Sequence, residues 1–255
     1  MNNQLSKKAI LFSRENKKLI FIFITVQVLL NLVTLLPFLR SDTPSNPSST
    51  MSTISMSMFI SVAAFFIVPF IDAGLFGLAF LKLKNKKIEV SNFLHIAKCN
   101  FWGFLRVSIV VSLIYGLFWI IVPRVLPYIF SNNSVQQSII SYSLTILSCI
   151  ITLFFVLALP LVIVGYFSGQ NLHPIKSSIT KFFNHITMFK FVITLVLVQY
   201  IIGLLPKLLI PQDYFYYSKI VLPFLTTPMR FIVLIYAYLL ITNYFMKDIQ
   251  FDFEK

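Results

Sequence analysis

The chain has 255 residues, of which 58% are hydrophobic and only 11% are charged, and its net charge is +13. Soluble domains contain about 45–50% apolar and about 25% charged residues, and a chain of this length would have to leave large apolar patches exposed to water. Composition therefore excludes an ordinary soluble domain. The charge does not indicate nucleic-acid binding, since the Lys and Arg residues lie in short segments beside apolar runs and not on a polar domain.

Six apolar segments predict an all-α class, a polytopic helix bundle that forms a single membrane domain over residues 1–255. Each segment is about long enough to cross a hydrocarbon core of roughly 30 Å at about 1.5 Å per residue. The predicted transmembrane helices cover about 19–39, 58–81, 107–128, 139–166, 191–210 and 220–246. The first is too long for a signal peptide and no A-x-A-like cleavage site follows it, so we expect a retained helix.

The outer half of the sixth predicted span contains features that disfavour a regular helix. Pro223, Pro228 and Arg230 all fall there. Proline removes a backbone donor and clashes with the preceding turn. We therefore expect a re-entrant or peripheral start, with the span lying mainly from about Met229 onward. Arg230 is expected to reach the outer interface by snorkelling, and we do not expect it to pair with Asp72.

Two amphipathic segments, about 91–105 and 174–189, are predicted to be surface helices on the cytoplasmic side. Apolar residues recur in both at helical spacing opposite polar ones. The apolar positions are Phe93, Leu94, Ala97, Phe101, Phe104 and Leu105 in the first and Ile175, Ile179, Phe182, Phe183, Ile186 and Phe189 in the second. Such helices lie along the headgroups with their lysines in water, so the partners expected here are anionic lipid headgroups.

The distribution of basic residues predicts the orientation. With the amino terminus in the cytoplasm, the cytoplasmic segments hold 16 of the 21 Lys and Arg residues, as the positive-inside rule requires. The sequence therefore predicts that both termini are cytoplasmic. Its usage of Lys, Asn, Ile and Phe is typical of an AT-rich Gram-positive genome, so the expected location is a bacterial plasma membrane.

An order of features recurs in the two halves of the chain. Pro69 is followed by Gly74 in the second span, and Pro160 by Gly165 in the fourth. Each pair precedes a basic linker and an amphipathic segment. This pattern is explained either by a parallel internal repeat or by the general tendency of inner loops to be basic and amphipathic.

The candidate functional residues are the polar side chains inside the predicted spans: Asp72, Gln27, Asn31 and Gln199. Asp72 lies near the expected bilayer centre, where a carboxylate costs roughly 2.5–3.5 kcal/mol. It is either a proton or cation site or a structural acid that holds helices together. Gln27 and Asn31 lie four residues apart on one helix face, and with Gln199 they are expected mainly to hydrogen-bond between helices.

Other chemistry has little support in the sequence. His95, His173 and His185 do not have metal-ligand spacing, and Cys99 and Cys149 form no C-x-x-C motif. The histidines are expected to lie at the membrane interface, and the cysteines are expected to be small apolar residues in the packing. Nucleotide-binding, zinc-protease and serine-hydrolase motifs are absent from the sequence. We therefore expect no enzyme activity, no cofactor and no metal.

The chain resembles a loose group of six-span bacterial proteins that includes the membrane domain attached to some glycerophosphodiester phosphodiesterases. The resemblance lies in the Pro-x4-Gly pairs, the surface helices after them and the ending TTPMRFIVLIYAYLLITNYFMKDIQFDFE. In that group the last span similarly carries a proline near its start, a tyrosine within it and an acidic tail. These 255 residues contain no phosphodiesterase domain, so the resemblance implies a membrane module without that activity.

Two classes of function remain open from the sequence. The first is transport, as a small permease or as the membrane subunit of a transporter with a separate ATP-binding partner subunit; Asp72, the helix-breaking residues and the repeat favour it. The second is a non-transporting membrane protein that binds lipid or a partner, such as an immunity or accessory factor. The basic surface helices and the 28 Phe and 11 Tyr residues favour the second.

Overall fold

The computed structural model describes residues 2–39, 47–129, 133–170, 172–209, 215–247 and 251–253, most of which lie in helices joined by short turns and loops. The side chains of 33–39, 47–61, 204–209 and 215–220 lie outside the described part. The helices are α1 Asn2–Glu15, α2 Lys17–Leu39, α3 Pro47–Leu83, α4 Val90–Ile129, α5 Asn133–Phe155, α6 Ala158–Ser168, α7 Pro174–Asn184, α8 Lys190–Leu209 and α9 Phe215–Leu240. A 3-10 turn, Ile186–Phe189, leads into α8, and a π-helical turn, Ile241–Phe245, extends α9.

Five helical segments in the described part are long and apolar enough to cross a membrane. They cover Val62–Leu83, Val90–Leu126, Ser138–Ser168, Ile186–Gly203 and Val221–Phe245, and they overlap the second to sixth predicted spans. The predicted all-α class is therefore confirmed. Helix α2 covers the first predicted span, 19–39, but the side chains of 33–39 lie outside the described part.

Helix α4 joins two elements that the sequence predicted separately. The expected surface helix 91–105 and the third span 107–128 form one unbroken helix of 40 residues. Neither a proline nor a glycine pair occurs between Val90 and Val122, so nothing in that stretch ends the helix. At about 1.5 Å per residue α4 is about 60 Å long, and about half of it extends beyond a hydrocarbon core of roughly 30 Å or lies tilted across it.

The prolines inside α9 do not interrupt that helix, contrary to the prediction. Helix α9 runs without a break from Phe215 to Leu240 with Pro223 and Pro228 inside it, so the predicted interruption before about Met229 is wrong. Membrane helices tolerate proline because neighbouring helices and local adjustments satisfy the freed backbone groups. Sequence alone does not show those neighbours.

The fourth predicted span is broken instead. Helix α5 ends at Phe155 and α6 begins at Ala158, so Pro160 falls in the first turn of α6, where its missing N–H has no helical partner to lose. The end of α5 leaves carbonyl groups without helical donors. The buried Ser178 hydroxyl of α7 donates to the Phe154 carbonyl (2.6 Å). Helix α7 therefore docks at this break and does not lie wholly on the surface.

Helix α9 is central to the core. It packs against α1, α2 and α8, and Tyr236 and Tyr238 within it are fully buried. The Tyr236 hydroxyl donates to the Met188 carbonyl (2.7 Å), and the Tyr238 hydroxyl donates to the Phe76 carbonyl (2.9 Å). Both phenols are therefore satisfied while their rings fill the space between helices.

The amino-terminal segment, expected only to stay in the cytoplasm, forms helix α1. Leu5 and Ala9 are buried, and the ring of Phe12 stacks on Phe231 with a centroid separation of 6.5 Å. These three apolar residues recur four and three positions apart, which places them on one helix face. That face packs against α9.

Helices α3 and α4 approach closely through glycine. A Cβ atom added at Gly74 would lie 2.3 Å from Cε2 of Phe93, and one added at Gly77 would lie 2.3 Å from Cγ2 of Ile96. Small residues allow membrane helices this kind of contact. By contrast, a Cβ atom at Gly116 would meet no heavy atom within 4 Å.

The described carboxyl-terminal residues 251–253 fold back onto the ends of α3 and α6. The rings of Phe251 and Phe253 pack on the buried ring of Phe80, with centroids 5.6 and 6.2 Å away. The backbone N–H of Asp252 donates to the Phe167 carbonyl (2.8 Å). The Lys84 ammonium lies 4.8 Å from the centre of the Phe251 ring, and its partial burial lowers the pKa of Lys84. Residues 251–253 therefore form a docked segment, which we call the tail clasp.

We expect the double change Phe251→Ala and Phe253→Ala to release the tail clasp. Both rings are half-buried, so each truncation should cost about 1–2 kcal/mol, less than full burial of an aromatic ring provides. Hydrogen exchange measured in detergent should accelerate in 251–253 and at the end of α3. The control is Phe183→Ala, because Phe183 is 58% exposed. Equal exchange in the double variant and the control would contradict the docking.

Candidate functional site

The candidate site is a group of polar side chains deep within the membrane-spanning helices. Asp72 lies at the midpoint of the 22-residue candidate span Val62–Leu83 and is half-buried. The adjoining Ala73 and Leu75 are buried. Among the described residues the charge that acts on the Asp72 carboxylate is that of Arg230 on α9. This attraction is electrostatic and acts between α3 and α9.

Arg230 also contacts helix α8 through Gln199. With the Gln199 amide oriented so that its oxygen faces Arg230, Nε and Nη2 of the guanidinium donate to that oxygen at 2.8 and 3.2 Å. Gln199 is buried, with 6% of its surface exposed. Arg230 is itself exposed, and the expectation that it does not pair with Asp72 stays a prediction.

Two further hydrogen bonds continue the polar group onto α5 and α4. The Thr152 hydroxyl donates its proton to the Ser148 carbonyl (2.8 Å). It can therefore only accept from the Tyr200 hydroxyl, which lies 2.9 Å from Thr152 Oγ1. Similarly, the Ser148 hydroxyl donates to the Leu144 carbonyl (2.9 Å). The Tyr115 hydroxyl therefore donates to Ser148 Oγ. The sequence analysis did not single out these four residues, since single hydroxyls in apolar runs are common.

A cavity of about 190 Å³ lies among α5, α6, α8 and α9. Its polar lining consists of Thr152, Gln199 and Arg230, while side chains such as Phe76 and Val196 form apolar walls. Binding sites for small molecules combine apolar walls with a few placed polar groups. This cavity has that character, although its volume suits only an ion, water or a very small solute.

Gln27 and Asn31 form a second polar pair on α2. The Gln27 amide nitrogen donates to the Asn31 side-chain oxygen (3.2 Å), and both residues are half-buried. Neither lines the 190 Å³ cavity. The structure therefore joins Gln199 to Arg230 at this cavity, whereas Asp72, Gln27 and Asn31 do not line it.

The histidines and cysteines lie elsewhere. The Tyr166 hydroxyl and His95 Nε2 are 3.1 Å apart, Cys99 is exposed and Cys149 is half-buried. In the part of the chain that the structure describes, no group of three His, Cys, Asp or Glu residues is arranged to hold a metal.

The site thus consists of one acid, one guanidinium, one amide and four hydroxyl groups on five helices. We call these residues the polar cluster: Asp72, Tyr115, Ser148, Thr152, Gln199, Tyr200 and Arg230. Opposite charges interact at low dielectric even without direct contact, so protonation of Asp72 would change the electrostatic environment of Arg230. No family model, curated protein or solved structure matches this chain, so the chemistry of the site rests on its own residues.

Proposed function

We propose that this chain is a six-span bacterial plasma-membrane protein with both termini in the cytoplasm, and that it is a small permease or the membrane subunit of a transporter. The observation that carries the proposal is an acid, Asp72, at the middle of a candidate span, on which the charge of Arg230 acts, together with the hydrogen bonds of Arg230 to Gln199. Charged side chains inside a membrane are costly and commonly mark ion or substrate pathways.

The orientation is supported by the basic residues. The α3–α4 turn contains Lys84, Lys86 and Lys87, and α7 carries Lys176 and Lys181. Lys181 lies with its ammonium 4.2 Å from the Phe245 ring centre, and partial burial lowers the pKa of Lys181. This end of the molecule is where cations would meet anionic cytoplasmic headgroups.

The proposed mechanism uses the charge pair as a switch. With Asp72 ionised, its negative charge offsets the positive charge of Arg230, which is bonded to Gln199. When Asp72 takes up a proton, Arg230 keeps its charge and becomes available to an anionic group in the adjoining 190 Å³ cavity. Proton uptake and solute binding would then be linked, as proton relays in transporters require.

The test is proton flux in liposomes that contain the purified protein and a trapped pH-sensitive dye, driven by a potassium diffusion potential. We expect flux above that of empty liposomes in the wild type and a loss of at least tenfold in Asp72→Asn. The matched control is Glu89→Gln, which removes an exposed acid in the α3–α4 turn, and it should leave flux unchanged. Equal flux in wild type, Asp72→Asn and empty liposomes would contradict a proton-linked role.

A second candidate is a non-transporting membrane protein that binds lipid or a partner protein. It is favoured by the internal hydrogen bonds of the polar cluster, since Gln199, Tyr200, Thr152 and Ser148 bond to other members of the group. Groups already bonded to one another stabilise helix packing and offer little to a solute. Co-purification of one stoichiometric protein together with absence of flux would favour this candidate.

A further inference from the structure

A second and larger cavity lies apart from the polar cluster, at the end of the molecule that carries the basic residues. It is an open cleft of about 920 Å³, lined by α4 on one side and by α6, Gln170, Leu172, His173 and the start of α7 on the other. Ligand pockets for molecules of lipid-headgroup size typically occupy roughly 300–1,000 Å³. None of the residues assigned to the polar cluster lines it.

The charge at the mouth of this cavity is of one sign. Arg106 from α4 and Lys176 from α7 both line it, together with His173. The described lining includes no Asp or Glu. Arg106 and Lys176 are exposed, and neither has a carboxylate partner among the residues that the structure describes. Two cations from different helices that converge on one cavity without a counter-ion provide a site for an anion.

The interior of the cavity is mainly apolar. Its apolar wall includes Val107, Leu161 and Val162, and Gly103 allows α4 to approach α6, since a Cβ atom there would lie 2.5 Å from Cγ1 of Val162. Asn100 is buried at the wall, where its amide nitrogen donates to the Ile96 carbonyl (3.0 Å). The cavity therefore combines a cationic rim, one buried amide and an apolar wall, which is the polarity profile of an amphiphile with an anionic head.

The position of the cavity along α4 also fits an amphiphile with an anionic head. Arg106 and Val107 lie on α4 where the predicted surface segment meets the predicted span, and Lys176 lies in the first turn of α7. A basic pocket between helices at the cytoplasmic face is the place where proteins bind phosphate-bearing lipid headgroups. An Arg guanidinium bonds two phosphate oxygens at once, while Lys adds a mobile point charge.

We propose that this cavity binds a phosphate group, with Arg106 and Lys176 holding the phosphate oxygens, and that the phosphate belongs to an anionic phospholipid whose glycerol and upper acyl chains lie along the Val107 and Val162 wall. The same two cations would also hold a free phosphate or a soluble phosphate ester. This site does not depend on the proposed transport function, because no residue of the polar cluster contributes to it.

The test measures lipid retention by native mass spectrometry of delipidated protein titrated with phosphatidylglycerol or phosphatidylcholine. In the wild type we expect phosphatidylglycerol to be retained at least tenfold better than phosphatidylcholine. The double variant Arg106→Gln with Lys176→Gln should lose at least tenfold of that retention. The matched control, Lys98→Gln with Lys190→Gln, removes two exposed charges that do not line the cavity, and it should behave as wild type.

Inorganic phosphate and glycerol 3-phosphate are added as competitors to distinguish binding of a phospholipid from binding of a soluble phosphate. Failure of both to displace phosphatidylglycerol at millimolar concentration identifies a lipid site, whereas displacement by either one supports phosphate recognition and assigns the site to soluble phosphates. Equal phosphatidylglycerol retention by the double variant and the matched control would overturn the proposal. The variant Arg106→Lys, which keeps the charge, should retain more than half of the binding and shows that a loss in the glutamine variants is not misfolding.

Cys99 gives an independent readout because it is exposed and lines the same cavity. In a Cys149→Ala background Cys99 is the only thiol in the sequence. Phosphatidylglycerol should slow its reaction with a maleimide at least threefold in the wild-type cavity and not in the Arg106→Gln, Lys176→Gln variant. The same slowing in both proteins would place the lipid elsewhere.

Discussion

Replacing Arg230 by methionine is expected to destabilise the protein strongly. The change leaves the Asp72 carboxylate without its opposite charge near the bilayer centre, where an uncompensated acid costs roughly 2.5–3.5 kcal/mol, and it removes both hydrogen bonds to Gln199. Thermal unfolding in detergent and in nanodiscs, followed by intrinsic fluorescence, measures the loss. Arg124→Met is the matched control: both arginines are exposed, but Arg124 lies on α4 and does not bond Gln199.

The double variant Asp72→Asn with Arg230→Met separates charge pairing from simple packing. Asparagine removes the charge that Arg230 balances, so the double variant should recover part of the stability lost in Arg230→Met, with a coupling free energy of about 1–2 kcal/mol. Strictly additive losses in the two single variants would show that the residues do not interact. A recovery of stability without a recovery of proton flux would further show that pairing is structural and that Asp72 itself is required for flux.

Valine at Gly77 is expected to separate α3 from α4. The added Cβ would overlap Cγ2 of Ile96 at 2.3 Å, and Cβ of Ile96 is itself only 3.1 Å away, so a tight contact remains even if the Ile96 side chain rotates and the two helices must shift by a few tenths of an ångström. Overpacking of this kind costs about 1–3 kcal/mol, and the two γ carbons of valine place this substitution at the upper end of that range. Thermal unfolding under the conditions used for Arg230→Met provides the measurement.

Gly116→Val is the control for this prediction, because it makes the same change on α4 where no heavy atom lies within 4 Å of the added Cβ. Its stability should equal that of the wild type or exceed it slightly, since glycine is a poor helix former. Gly74→Ala is expected to fall between the two, because the atoms it meets are the far ring atoms of Phe93, which can swing aside. A melting temperature of Gly77→Val equal to that of Gly116→Val would contradict the close contact.

The positions of the long helices could be predicted from the sequence because the bilayer sets their length. A water-free core requires about 20 apolar residues per helix, and that requirement is visible as hydropathy. The break between α5 and α6 was not visible, since Pro160 lies in a run as apolar as that around Pro69, which stays inside an unbroken helix. What differs is the Ser178 hydroxyl that bonds the end of α5, and it lies 24 residues away in the chain.

The candidate site was predictable in part. Asp72 and Gln199 stand out because acids and amides are rare in membrane spans. The contact of Arg230 with Gln199 was not predicted, because it depends on whether α9 remains helical through Pro228. The hydrogen bonds of Thr152, Tyr200 and Tyr115 could not be predicted from the sequence, because they depend on which helices lie next to each other. Helix α1 could have been found from the spacing of Leu5, Ala9 and Phe12.

Because α4 is one unbroken helix, movements at its two ends are linked. Arg106 at the rim of the large cavity and Tyr115 beside Ser148 lie on one rod, nine residues and about 13 Å apart along its axis. A rod without a hinge cannot tilt at one end and stay still at the other, so any occupant that shifts the basic end also changes the distance from Tyr115 to α5. The large cavity and the contact of Tyr115 with Ser148 are thereby mechanically connected through a single helix.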